Sequence, residues 1–98
     1  MRGGYQRRTT DGVIGISGQP VRVYGVQVQS TAIAGRAIFY NGTDATGDRL
    51  FDADGEPNAT KNATDVSPEG AYFPGGCFVD IDANTTAVIV RYEQVISR

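Results

Sequence analysis

The sequence predicts an all-β domain, a small antiparallel β-sandwich or jelly-roll-like fold with an extended N-terminal arm. Three observations carry this. Apolar, β-branched and aromatic residues recur in alternation over short runs, the signature of half-buried strands. Gly, Asn and Pro interrupt those runs at spacings of about ten residues, as in sandwiches and jelly rolls. Helical periodicity appears nowhere.

Residues 1–18 are Gly-rich, polar and basic, with Val13, Ile14 and Ile16 as their branched aliphatic residues. Such a segment is expected to be a flexible or extended arm, or to take its order from a neighbour. Gly18, Gln19 and Pro20 form a breaker, so the sandwich domain is expected to span 19–98. Residues 21–29 read as a strong strand whose alternation slips at Gly25: Val21 and Val23 fall on one face, and Tyr24, Val26 and Val28 on the other. A glycine inside a strand often marks a bulge, so a kink is expected there. Residues 33–41 form a second strand, with Ile38 and Tyr40 sharing a face opposite Ala37 and Phe39. Asn41-Gly42 then signals a turn, because both residues tolerate the left-handed backbone conformation.

A short strand follows over 48–52 around Leu50 and Phe51, ended by the turn residues Asp54, Gly55, Glu56 and Pro57. The Asn-, Ala- and Thr-rich stretch 58–70 predicts a long loop or weak edge strand. Residues 71–73 lead into an obligatory turn at Pro74, Gly75 and Gly76, and 77–81 form the next strand. After a turn at Ala83, Asn84 and Thr85, the run 87–93 is the clearest strand of all. The expected core is Val23, Val26, Val28, Ile38, Tyr40, Leu50, Phe73, Phe78, Val79, Ile81, Val88, Val90 and Tyr92.

At 98 residues the chain has the length of one domain. A domain of this size buries about 60–65 % of its unfolded surface, so disulfides, metals or association commonly supplement its core. Cys77 is the sole cysteine, so no internal disulfide can form and a homo-oligomer or a docked subunit is expected. A lone thiol also fits folding in a reducing cytoplasm. No run approaches the roughly 18 apolar residues of a membrane span, and residues 1–18 hold no apolar core of a secretory signal; no membrane partner is expected.

The formal net charge of −2 carries no general nucleic-acid signature. Arg2, Arg7 and Arg8 precede the first acidic residue, whereas Asp44, Asp48, Asp52, Asp54, Glu56, Asp65 and Glu69 crowd the middle of the chain. Both read as solvated surface; the sharper reading has the arginines touch an acidic neighbour or a phosphate. The aromatics read as core or sheet-face residues, interleaved with positive charge only at Arg22, Arg36 and Arg91, so a nucleic-acid partner is not expected.

Catalytic chemistry finds little support. Histidine is absent, which removes the commonest general base and zinc ligand. Cys77 lies beside Phe78 within a strand and is expected to be a small buried hydrophobe without an activating neighbour. Asp52, Asp54 and Glu56, and likewise Asp80, Asp82 and Asn84, place oxygen ligands at alternate positions like the start of a calcium loop. The twelfth position, a bidentate glutamate in that motif, is Ala63 in one case and Arg91 in the other, so Asx-type turns are expected instead. Neither set is expected to form a glycosidase pair, which needs a cleft and an acid of raised pKa. Asn41, Asn58, Asn62 and Asn84 each begin an Asn-x-Thr sequon, read as loop composition in a chain without a signal segment. No catalytic, cofactor or metal residue is assigned, and the chain is expected not to be an enzyme.

Two stretches carry a resemblance. One joins Gly18-Gln-Pro-Val-Arg-Val-Tyr-Gly-Val-Gln-Val28 to Arg36-Ala-Ile-Phe-Tyr-Asn-Gly42. The other joins Tyr72-Phe-Pro-Gly-Gly-Cys-Phe-Val-Asp-Ile-Asp82 to Thr86-Ala-Val-Ile-Val-Arg-Tyr-Glu93. Over about residues 18–94 this order resembles the small β-sandwich structural proteins of tailed bacteriophages, which decorate or cement the capsid or serve at the neck or tail. The resemblance implies a capsid decoration subunit on the virion surface, made in the host cytoplasm, whose partner is the major capsid protein or another virion structural protein. The alternatives are a tail, neck or fibre module, or a carbohydrate- or cell-surface-binding sandwich.

Overall fold

A computed structural model describes residues 2–62 and 70–95, with side chains from residue 4 on. Residues 63–69 lie outside the described residues, and with them Asp65, Glu69 and most of the stretch expected to be a loop or edge strand. The described residues form nine strands in order: β1 (Arg2–Arg8), β2 (Gly12–Ile14), β3 (Val21–Ser30), β4 (Arg36–Asn41), β5 (Asp48–Asp54), β6 (Thr60–Asn62), β7 (Ala71–Phe73), β8 (Cys77–Ile81) and β9 (Thr85–Gln94). They form two antiparallel sheets packed on each other, as a small β-sandwich requires. In the five-stranded sheet the order is β1-β9-β3, with β6 and β7 both paired to β3; the four-stranded sheet runs β2-β8-β4-β5. No helix among the described residues is long and apolar enough to cross a membrane.

The core lies between the sheets. β3 contributes Val21, Val23, Val26 and Val28, and β9 contributes Val88 and Val90. Facing them are Ala37 and Phe39 of β4, Ala53 of β5, Cys77 and Val79 of β8, and Ile14 of β2. Phe39 is the central ring, 5.2 Å from Phe51 and 6.4 Å from Phe73 between centroids. Every buried side-chain nitrogen or oxygen among the described residues has a hydrogen-bond partner.

The expected kink at Gly25 is a bulge: Val23 pairs with Tyr92 and Gly25 with Arg91, leaving Tyr24 as the extra residue. Its effect corrects the expected faces. The inserted residue shifts the alternation by one, so Val21 and Val23 point to the same core as Val26 and Val28. A second irregularity pairs Phe39 with Phe51 but Tyr40 with Arg49. Leu50 is the residue left over and is 48 % exposed, not a core residue as expected.

β4 is also inverted relative to expectation. Ala37 and Phe39 are buried, whereas Ile38 and Tyr40 are half-buried on the outer face, as is Phe78 of β8. Its run Ala-Ile-Phe-Tyr is apolar on both faces, so alternation alone left the phase open. The facing sheet chose the aromatic ring without a hydroxyl, because a buried phenol needs a hydrogen-bond partner.

The hairpin between β4 and β5 closes where expected. A Cβ on Gly47 would collide with the Asn41 carbonyl oxygen, so only glycine lets the chain pass there. Gly76 ends the Pro74-Gly75 turn at φ +101°, which L side chains rarely adopt.

Within the segment expected to be a flexible or extended arm, β1 and β2 are extended strands. All seven residues of β1 pair with β9, from Arg2 opposite Gln94 to Arg8 opposite Val88. β2 pairs with β8 in the other sheet, and Ile14 is fully buried. The Gln6 side chain locks the crossover: Nε2 donates to the Val13 carbonyl and Oε1 accepts from the Gly15 N–H. Gln94 does the same at the far end, accepting from the Ile16 N–H and donating to the Pro20 carbonyl, both at 2.8 Å. The sandwich therefore includes the segment before residue 19. A strand docked on a sheet edge satisfies its backbone groups whether or not its side chains alternate, so Gly and Arg hide it from pattern reading.

Candidate interaction surface

In β3 and β9 the residues between the core valines point outward. Residues opposite one another in register share a face, and this places three rows across the five-stranded sheet. Arg7, Ile89, Gln27 and Asn62 form one row. Tyr5, Arg91 and Gly25 form the next, and Glu93, Arg22 and Tyr72 the third. Tyr24, extruded by the bulge, lies between the last two rows.

The side chains on this face organise one another. The Arg91 guanidinium lies 5.5 Å from the centre of the Tyr24 ring, and that of Arg22 lies 4.9 Å from the centre of the Tyr72 ring. These are cation–π contacts, worth about 0.5–1 kcal/mol where solvent reaches them. The Tyr24 hydroxyl donates to Glu93 Oε1 at 3.3 Å. Tyr5 and Tyr72 are 74 % and 43 % exposed, so both rings offer apolar area to solvent. Gly25 has no side chain to fill the middle of the face, and an open groove of about 270 Å³ lies there between Tyr5, Ile89, Arg91, Gln27 and Asn62.

The opposite face of the sandwich has other chemistry. Val13, Phe78 and Tyr40 form a half-buried apolar row on the four-stranded sheet, with the Phe78 and Tyr40 rings 6.5 Å apart. Beside it Ile38 stands between Asp80 and Asp52. Arg36 pairs with Asp54 at 2.8 Å and Arg49 with Asp52 at 2.7 Å. Asp80 is held above the usual carboxylate range, first by partial burial and then by the negative charge and hydrogen bonding of Asp11, with Asp82 adding further repulsion.

The sites weighed from sequence do not converge on a ligand. Asp52, Asp54 and Glu56 turn to three different cations, Arg49, Arg36 and Lys61. Asp82 Oδ1 accepts from the Arg36 and Asn84 N–H groups and from the Thr85 hydroxyl, an Asx-type turn as expected. No group of three or more metal-ligating side chains comes together among the described residues. Cys77 is fully buried, and desolvation pushes its thiol up to about 12, far from a reactive thiolate. Of the sequon asparagines, Asn41 has a structural role, since its Oδ1 accepts from the Gly75 N–H at 2.7 Å and ties two turns together.

The face that sequence reasoning missed is the Tyr–Arg one. Its signal was present in Val21-Arg-Val-Tyr24 and Val90-Arg-Tyr-Glu93, where every second residue is polar or aromatic. Which arginine meets which ring depends on the register of β3 against β9 and β7, and no local pattern encodes it. Neither a family model, nor a curated protein, nor a solved structure matches this chain.

Proposed function

We propose that this chain is a non-enzymatic virion structural protein of a tailed bacteriophage, a decoration or cement subunit that binds the major capsid lattice and stabilises the head. The observation that carries the assembly role is the exposed Tyr–Arg face. Tyrosine and arginine are the residues enriched where protein interfaces concentrate their binding energy, because each buries a large area while keeping a polar group to direct it. The buried thiol and the separately paired carboxylates favour a subunit that acts by contact over one that acts by chemistry. The placement on a phage head rests on the resemblance over residues 18–94.

Copy number tests it. Quantitative mass spectrometry of purified particles is expected to find this chain at a number near that of the major capsid protein. A few copies confined to one vertex would move it to the neck or tail. Absence from particles, together with calcium-dependent glycan binding by the purified chain, would replace the structural role with a surface-binding one.

A further inference from the structure

β1 and β2 belong to different sheets, and residues 9–11 carry the chain from one to the other. The pairing of β2 with β8 stops at Gly12 opposite Val79. Continued in the same register, it would set Asp11 opposite Asp80 and Thr10 opposite Ile81, with the Thr10 carbonyl meeting the Ile81 N–H. That end of the ladder is closed differently. Arg8 folds its guanidinium over Gly12, where a Cβ would collide with it. From there Nε donates to the Thr10 carbonyl and Nη2 to the Asp11 carbonyl, both at 3.1 Å. The Ile81 N–H goes instead to Asp11 Oδ1 at 2.8 Å. One carboxylate therefore fastens the crossover to β8.

That carboxylate has another beside it. The Asp80 and Asp11 side chains hydrogen-bond each other, and Asp82 adds negative charge from the end of β8. On the other flank Asp80 stands opposite Ile38 of β4, with Asp52 of β5 beyond it and Arg36 and Tyr40 on either side of Ile38. Arg36 pairs with Asp54 and Arg49 with Asp52, so among the described residues Asp80 has no ion pair of its own. A carboxyl and a carboxylate in contact are held by the proton they share; once both are ionised they repel.

We propose that Asp80 and Asp11 form a proton-dependent latch on the β1–β2 crossover. With Asp80 protonated, its hydroxyl donates to Asp11 and keeps the Asp11 carboxylate on the Ile81 N–H; with both carboxylates ionised, the crossover lifts from β8 more readily. Burial, and after it Asp11, hold the Asp80 carboxyl above its ordinary range while the crossover is closed. Lifting the crossover takes Asp11 away and returns Asp80 toward that range. The closed form is therefore favoured as pH falls through the raised value, and this preference is gone above it.

Native-state hydrogen exchange of the full chain, read by NMR at single amides and corrected for the intrinsic rate at each pH, tests this. The Ile81 amide is expected to gain about threefold in protection between about pH 7 and about pH 4, just above the ordinary aspartate value. Asp80→Asn, whose amide donates to Asp11 without a charge to lose, is expected to remove most of that gain by raising protection at neutral pH. Asp11→Asn, which keeps an acceptor oxygen for Ile81, is expected to remove it as well. Asp52→Asn, on the far side of Ile38, is expected to keep the wild-type gain. Far-UV circular dichroism checks folding, and either of the first two variants serves if the other unfolds. Equal Ile81 protection at both pH values in the wild type, a gain that persists in folded Asp80→Asn or Asp11→Asn, or one that Asp52→Asn also abolishes would overturn the proposal.

The latch stands apart from the particle role. Its failure leaves the exposed Tyr–Arg face as it is, and a chain absent from particles leaves the latch as it is.

Discussion

The two sides of the five-stranded sheet are built from the same strands and do different work. Toward the core, the middle of β3 and β9 presents Val21, Val23, Val26, Val28, Val88 and Val90; toward solvent it presents arginine, tyrosine, glutamine and glutamate beside Ile89. The inner side has fixed neighbours, so its residues set stability. On the outer side, among the described residues, rings and guanidinia meet in cation–π contacts, which are weak where solvent reaches them. Buried packing and exposed chemistry are thus separated by one residue of alternation, and substitutions one position apart are expected to differ in their effect on stability.

The largest test removes the segment that bridges both sheets. Deleting residues 1–14 takes away β1, β2 and the buried Ile14, and exposes the edges of β9 and β8. The truncated chain is expected to lose its cooperative thermal transition by circular dichroism. A sharp transition at the wild-type temperature would mean that the inner side is complete without this segment.

Next comes Phe39→Ala, which empties the place where Phe51 and Phe73 meet. Truncating a buried phenylalanine costs about 3–5 kcal/mol, a large part of the 5–15 kcal/mol that holds a typical domain together. Urea titration should show the midpoint falling with little change in slope. Gln94→Ala is a smaller break. It leaves the Ile16 N–H and Pro20 carbonyl without their side-chain partner and is expected to cost about 1–3 kcal/mol.

On the outer side, Arg91→Ala is expected to stay within about 0.5 kcal/mol of the wild type in the same titration. If the proposed particle role holds, the same substitution should weaken binding of the chain to purified particles, measured by cosedimentation. A stability loss as large as that of Gln94→Ala would show that the Arg91–Tyr24 contact belongs to the fold and would erase the distinction between the two sides.

The smallest effect is expected at Asp80. Its carboxyl is held above the ordinary range in the folded chain, so ionised Asp80 destabilises the fold above that raised pKa. The penalty is withdrawn as pH falls through the raised value toward the ordinary carboxylate range. Asp80→Asn should therefore raise the melting temperature slightly at neutral pH and flatten its pH dependence over that window. A lower melting temperature at neutral pH would mean that the Asp80 carboxylate stabilises its surroundings.

Much of this architecture is legible in the residues themselves. Val-Arg-Val-Tyr and Val-Ile-Val-Arg announce β3 and β9, because period-two alternation of β-branched residues suits a half-buried sheet. Asn41-Gly42 and Pro74-Gly75-Gly76 mark turns by backbone chemistry that needs no tertiary partner, and the burial of Cys77 follows from its place in an apolar strand. β1 and β2 are less legible because their order comes from edges supplied by β9 and β8, far along the chain. The outer face is least legible of all, since the meetings of Arg91 with Tyr24 and Arg22 with Tyr72 depend on a bulge and two registers.

The sequence alone thus determines that the chain is all-β, where its long strands and turns fall, and that its thiol is buried. Those properties depend on local backbone preference and on the period of the apolar residues. Only the tertiary structure decides that Phe39 and not Ile38 faces inward, that Val21 and Val23 join Val26 and Val28, and that Arg2–Arg8 and Gly12–Ile14 are strands of the two sheets. Alternation specifies two faces without saying which is covered; the answer comes from the second sheet, whose packing one residue of bulge can invert.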